Sequence, residues 1–262
     1  MATRGVRVRA CNAMWTLDFK GHFWTGDGQR CLPLTIRDLH SRYVLCVEHV
    51  RQPSEAAVKE VMRRIFRRYG LPKAIRVDNG VPFAAVGPLQ LSALSVWWLR
   101  AGIKVEFTRR GKPQDNGAHE QMHRVLKAHS ARPPAATLEE QRRRLAKFQR
   151  YYNEQRPHEA LGQRSPAQRY RASPRRYVEP TPLRYGPGWS VRVVSTKGYI
   201  KWEGRIRLIG RAFAHQHVGL KVAKPGTRRA WVKVYLGRQL IGELHRADLA
   251  GMRGAHWKKL SP

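Results

Sequence analysis

The 262-residue chain carries 51 Lys and Arg against 18 Asp and Glu, a formal net charge of +33 that runs along its whole length. That excess is far beyond what solubility needs and names a phosphate-rich polyanion as the partner class, without naming a reaction. Three cysteines, Cys11, Cys31 and Cys46, in no CxxC pair support neither a disulfide framework nor a thiolate zinc site, and no apolar run approaches the ~20 residues of a membrane span, so a soluble, cytoplasmic protein is expected.

Residues 1–13 are a basic, patternless lead-in. Met14 to Phe19 alternates, with Trp15, Leu17 and Phe19 on one face and Thr16 and Asp18 on the other, which predicts a strand. Gly26-Asp27-Gly28 makes a turn, and Cys31–Arg37 and Tyr43–His49 continue as two further strands of an antiparallel meander. A helix follows, with Ser54 as N-cap, an apolar stripe through Val58, Val61, Met62, Ile65, Phe66 and Tyr69, and Gly70 with Pro72 as the stop. A helix of that length is a crossover, so Ala74–Val77 returns parallel and leaves Asp78 at its C-terminal end. Pro88 is expected to open a helix running through Leu91, Leu94, Trp98 and Leu99 to Gly102, and Ile103–Phe107 is a last strand. The stretch GKPQDNGAHEQMHRVLK, residues 111–127, reads as a loop and then a helix from Ala118, with Met122, Val125 and Leu126 inward and Glu120 on its first turn. Thr137 and Glu140 form a capping box for a helix reaching Tyr152.

This order makes residues 14–170 one mixed α/β domain. Residues 171–187 are a Pro-rich, semi-rigid linker. Residues 188–250 hold five short β-rich runs (Ser190–Ser195, Tyr199–Ile209, Val218–Val222, Ala230–Tyr235 and Gln239–Leu244), expected to form a small DNA-binding β-barrel, and 251–262 are a basic tail.

Asp18, Asp78 and Glu120 are separated by 59 and 41 residues, so only a folded sheet can assemble them. Transfer at a phosphodiester builds charge on both the attacking and the leaving oxygen. Two divalent ions roughly 3.5–4 Å apart stabilise both, and hard Mg²⁺ asks for carboxylate oxygens. Three carboxylates without cations would repel one another, so the trio is a metal site or no site. Asp27, Asp38, Glu48, Glu106 and Asp115 have ordinary explanations in turns or on exposed strand faces.

The stretches WTLDFKGHF, PLTIRDLHSRYVL, LPKAIRVDNGVPF, GKPQDNGAHEQMHRVLK and YYNEQRPHEALGQRSPAQRY, in that order, resemble the integrase-type catalytic core of bacterial insertion-sequence transposases, members of the DDE superfamily. The resemblance covers roughly residues 12–170. It implies a ribonuclease H-like, five-stranded mixed sheet with helices on both faces, followed by a small SH3-like β-barrel. It also implies that Asp18, Asp78 and Glu120 are the catalytic acids, binding two Mg²⁺ or Mn²⁺ ions, and that Asn116 and Gly117 shape the active-site loop. The implied activity is DNA cleavage at element ends and strand transfer into target DNA. Arg109, Arg110, Lys112, Arg124 and Lys127 are the expected phosphate contacts, and the expected partners are element-end and target DNA and further copies of the chain. The family usually carries helix-turn-helix domains ahead of the core, so an upstream-encoded helix-turn-helix protein is a further expected partner, and a nucleoid-associated location follows.

Two rival readings use the same residues. His119-Glu120-Gln121-Met122-His123 matches H-E-x-x-H, which on a helix sets two imidazoles on one face for zinc, with Glu120 as general base and Glu139 or Glu140 as a third ligand. A metalloprotease would explain neither the charge nor the positions of Asp18 and Asp78. The other rival is a catalytically idle DNA-binding fragment or regulator of transposition.

Overall fold

In the computed structural model, which describes residues 8–85, 89–108, 117–223, 231–247 and 251–255, the alternating stretch forms β1 (Met14–Phe19). A two-strand hairpin follows, β2 (Phe23–Trp24) with β3 (Arg30–Cys31), then β4 (Pro33–Asp38) and β5 (Val44–His49). The single run expected over Cys31–Arg37 is therefore broken at Leu32 into β3 and β4. The meander is present: β1 pairs antiparallel with β4, and β4 with β5.

Helix α1 (Glu55–Tyr69) has Ser54 as its cap, whose hydroxyl accepts from Ala57 N at 3.2 Å, and it buries the expected stripe from Val58 to Tyr69. Strand β6 (Ala74–Val77) returns parallel to β1, and β7 (Lys104–Phe107) lies parallel to β6, giving the sheet order β5-β4-β1-β6-β7. Successive residues of β1 face opposite sides of this sheet. Trp15 meets Phe66 of α1, with ring centroids 6.0 Å apart, while Thr16 bonds to His119 on the other side. That second side carries α3 (Gly117–Leu126), continued by a π-turn over Lys127–Ala131, and α4 (Leu138–Arg150), continued by another over Tyr151–Gln155. Met122, Leu126, Leu145, Phe148 and Tyr152 pack there against Cys31, Val44 and Val47. Thr137 Oγ1 accepts from Glu140 N at 3.2 Å, but the Glu140 carboxylate turns to Ala136 N and Arg144 rather than to the cap, so the box is half closed.

Helix α2 (Ala93–Arg100) lies between β6 and β7 in the chain. Its cap is Ser92, four residues past the expected start at Pro88, which lies outside the described residues. Contacts divide the chain into Met1–Pro82 with Gly102–Val178, and Phe83–Ala101 with Glu179–Pro262, so α2 groups with the C-terminal residues. In that second unit Arg100 Nη1 donates to Gln216 Oε1 at 2.8 Å. Its strands are β8 (Ser190–Val193), β9 (Tyr199–Trp202), β10 (Arg205–Leu208), β11 (His217–Val222), β12 (Trp231–Leu236), β13 (Gln239–His245) and β14 (Arg253–Gly254). They form an antiparallel sheet β14-β13-β12-β11-β8 and a separate β9–β10 hairpin. The run expected over Tyr199–Ile209 is thus two strands turning at Glu203-Gly204, both at positive φ.

Neither end of the Pro-rich stretch hangs free. After α5 (Pro166–Arg169), Ser173 N donates to Tyr69 O at 2.8 Å, Leu71 N to Arg175 O at 2.7 Å, and Arg175 Nη2 to Gly102 O at 2.7 Å. Further on, the Tyr185 hydroxyl lies 3.0 Å from the carbonyls of His217 and Tyr235. The lead-in is also fixed near its end: Asn12 N donates to Asp38 Oδ2 at 2.7 Å, and Asn12 Oδ1 accepts from Trp15 Nε1 and the Tyr170 hydroxyl, both at 3.0 Å. Among the described residues, no helix is long and apolar enough to cross a membrane.

Gly70 ends α1 at φ +75°, and a Cβ there would collide with the carbonyl oxygens of Ser173 and Arg175. Gly70→Ala is expected to destabilise the first unit by at least about 1–3 kcal/mol from backbone strain alone. Urea unfolding checks this; a midpoint equal to that of the parent chain would show that the 171–178 strap yields freely.

Candidate active site

The pairing of β1 with β6 runs Met14–Ala74, Trp15–Ile75 and Thr16–Arg76, a constant offset of 60 residues. Carried two positions further, the same offset sets Asp18 opposite Asp78, the first residue beyond β6. Asp78 is exposed; its Oδ1 accepts from Gly80 N at 3.0 Å, and Asn79 Nδ2 reaches Thr108 O at 2.7 Å, which ties the turn to the end of β7. Asp18 near the end of β1 and Asp78 just beyond β6 thus stand at the same end of two neighbouring parallel strands.

Glu120 is exposed on the first turn of α3, and the residues around it explain how that turn is seated. His119 and His123, one helical turn apart, are buried against the sheet. His119 Nδ1 lies 2.8 Å from Thr16 Oγ1, and His119 Nε2 and His123 Nε2 lie 2.6 and 2.8 Å from Thr35 Oγ1. Thr35 stands opposite Asp18 in the β1–β4 ladder, and its hydroxyl donates to Asp18 O at 2.9 Å. A hydroxyl has one proton to give and two lone pairs to receive. With its proton spent on Asp18 O, Thr35 accepts from both imidazoles, so each carries its hydrogen on Nε2 and His119 Nδ1 accepts from Thr16. Burial holds both rings neutral: it pushes His119 well below the ordinary histidine range, helped by His123 and Arg37, and takes His123 down to about 3, helped by Lys20 and Arg37.

Among the described residues, the group of metal-ligand type with donor atoms all within 4.8 Å of one another is Asp18, His119 and His123; Asp78 and Glu120 do not join it at that distance. The H-E-x-x-H reading needs free imidazole lone pairs. His119 has none to offer, since its Nε2–H points at Thr35 and its Nδ1 accepts from Thr16. A hard divalent cation asks for an oxygen-only donor set such as three carboxylates, whereas the donor atoms that lie within 4.8 Å of one another among the described residues are those of Asp18, His119 and His123.

Lys20 follows Thr16 and Asp18 on the same face of the chain. Burial lowers its pKa, as do Lys127 and Arg132, against the opposing pull of Asp18. Lys127 and Arg132 thus act on Lys20, as Asp18 does; the sequence reading did not single out Lys20 or Arg132, and period-two alternation past Asp18 could have found Lys20. Arg124 is exposed one turn beyond Glu120. Gly117 opens α3, and a Cβ there would meet nothing within 4 Å. Arg109, Arg110, Lys112 and Asn116 lie outside the described residues.

Thr35→Val keeps the shape but strands two buried N–H groups, at about 1–3 kcal/mol each. A large drop in the urea midpoint is expected, whereas Glu120→Gln on an exposed turn should stay within about 0.5 kcal/mol of the parent. Equal midpoints for the two variants would mean that Thr35 is not the anchor of α3.

Comparison with known proteins follows this geometry. Residues 9–113 match one integrase core domain family and residues 101–166 a second family of the same description. The 31.7 kDa protein of insertion element IS407 from Burkholderia multivorans is 28% identical over 160 residues, covering 61% of this chain and 55% of that protein. The Gag-Pol polyprotein of avian reticuloendotheliosis virus is 33% identical over 123 residues, covering 47% of this chain but 10% of the polyprotein. The chain thus spans about half of the first relative and a tenth of the second. The integrase chain of a simian T-cell lymphotropic virus intasome, solved with the PP2A regulatory subunit B56 gamma, superposes with a TM-score of 0.54 at 15% identity, over 90% of this chain and 80% of that one, a likeness of fold.

Proposed function

The chain belongs to the integrase-core family, alongside insertion-sequence transposases, and from that premise we propose that it cuts DNA at element ends and joins the freed 3′-OH to target DNA. The observation that supports this most directly is the β1–β6 register, whose offset of 60 residues, carried two positions past its last pair, would set Asp18 opposite Asp78. Two Mg²⁺ or Mn²⁺ ions, held by Asp18, Asp78 and Glu120, would acidify the attacking hydroxyl and neutralise charge on the departing oxygen.

The chain's own residues do the rest. Thr35 fixes the Asp18 backbone, and the Asn79–Thr108 bond fixes the turn behind Asp78, so both carboxylates stay at the sheet edge. His119 and His123 hold Glu120 there without adding charge. Lys20, on which Lys127, Arg132 and Asp18 all act, is the cation that would attract a phosphodiester and orient its non-bridging oxygens. In the first step the oxygen of water attacks phosphorus in line, the bond to the 3′-oxygen breaks, and that oxygen takes up a proton. In the second step the new 3′-OH is the nucleophile, it loses its proton, and a target-strand 3′-oxygen leaves.

We read residues 188–250 as an SH3-like module that adds phosphate contacts, residues 14–170 as the catalytic core, and the active form as a homo-oligomer on DNA. An idle DNA-binding fragment is separated from this reading by chemistry alone. Asp18→Asn, Asp78→Asn and Glu120→Gln should each abolish Mg²⁺-dependent nicking of a duplex bearing the native ends, with binding of that duplex retained. Near-normal nicking by any one of them removes that residue from the site, and a parent chain that binds without nicking leaves only the idle reading.

A further inference from the structure

The stretch Tyr151–Tyr170 contributes a wall to the first unit that the carboxylate site does not use. With α3 and the turn between β4 and β5 it encloses a cavity of about 420 Å³, lined by Arg42, Gln121, Tyr152, His158, Glu159 and Ala160. Gln121 follows Glu120 in α3, so the cavity lies beside the helix turn that bears the third carboxylate.

Both walls are fixed. The fully buried Asp38 accepts from Ser41 N at 2.7 Å, Ser41 Oγ at 2.6 Å and Asn12 N at 2.7 Å, and so holds the turn that presents Arg42. Arg42 sits at φ +65°, a left-handed conformation that non-glycine residues seldom adopt. Across the cavity, His158 N donates to Arg164 O at 3.2 Å and the His158 ring meets Tyr152 edge-on at 4.8 Å. His158 Nε2 is buried with no hydrogen-bond partner. An unmet polar atom in a cavity wall is a group that a ligand or an ordered water completes. The local field is positive: burial first, then Arg156, Arg37 and Arg42, push His158 down to about 4, against a hydrogen bond from the ring to the Tyr152 backbone. Glu159, the acid of the lining, is exposed.

We propose that this cavity is a phosphate subsite, taking a backbone phosphodiester of the DNA that runs past α3, with Arg42 as the charged contact and Gln121 as the amide donor. The assignment rests on the DNA-strand reading above and extends it to residues that are not expected metal ligands. A guanidinium fork beside an amide donor matches the paired oxygens of a phosphodiester, and such a contact sets the register of DNA without reading its sequence.

The test measures the affinity of the full chain for a fluorescent duplex across a salt series, without divalent metal. Arg42→Asn removes the charge while keeping a residue that tolerates the left-handed turn. It should weaken binding and flatten the slope of log affinity against log salt by about 0.9, the share of one phosphate contact. Gln121→Ala should weaken binding with the slope retained. Thermal melts identify any variant that fails to fold, and Gln121→Ala is then the second reading of the same cavity. Parent-like affinity and slope in folded Arg42→Asn would overturn the proposal. So would ³¹P line broadening of inorganic phosphate that depends on Arg42 while duplex binding does not, since the cavity would then take free phosphate. Because no metal and no cleavage enter the assay, a chain that fails to nick leaves this outcome intact.

Discussion

The hydroxyl of Thr35 is the point on which the candidate site depends. It joins three elements: β4, which carries it, β1 through the Asp18 carbonyl, and α3 through two imidazoles. A helix seated only by Met122 and Leu126 could slide or roll at small cost, because apolar contacts are non-directional. Two hydrogen bonds converging on one oxygen fix both its rotation and its height over the sheet. Glu120, one residue from His119, inherits that placement while staying exposed. The cost is a dry polar cluster, tolerated because every proton in it has an acceptor.

The same economy governs Asp18. A strand repeats every two residues, so a one-residue slip in the β1–β6 pairing would turn Asp18 toward α1 and expel Trp15 from its place against Phe66. Trp15, Leu34 and Ile36 are fully buried. The apolar face of the sheet thus determines which side the carboxylate occupies, and the site's register is a consequence of core packing. Electrostatics then separates two kinds of histidine use. In a chain of net charge +33, a protonated imidazole beside Arg37 would be costly, and burial keeps His119 and His123 neutral.

The sequence made legible whatever a period and a cap can encode: the β1 alternation, α1 with Ser54 and Gly70, the parallel return of β6 and the end position of Asp78. It left obscure what depends on a distant partner. His119 and His123 have the spacing of zinc ligands and of a hydrogen-bonded anchor alike, since both need two imidazoles on one helix face; only Thr16 and Thr35, some 84 to 103 residues away, distinguish them. Asp38 looked like a turn residue and is one, yet it is also fully buried and holds Asn12, which nothing in the basic lead-in foretold. The β9–β10 turn at Glu203-Gly204 was readable from the glycine, but a run of apolar residues on both sides masked it.

The membership of residues 83–101 changes how the interval between Asp78 and Glu120 is understood. This segment groups with the C-terminal unit, where α2 packs beside the turn Arg211–Phe213 and Arg100 bonds to Gln216. Phe83 and Trp98 are almost wholly buried there, with ring centroids 6.4 Å apart. The chain therefore passes into the second unit and back between two of its expected catalytic acids. Removing the residues after Val178 would take away the partners of α2 and leave its apolar side chains facing water. A loss of activity in such a truncation would then reflect an unsupported helix between Asp78 and Glu120 as much as lost DNA contacts. Point substitutions on the surface of the C-terminal sheet, which leave Phe213 and Gln216 in place, are the cleaner way to separate the two causes.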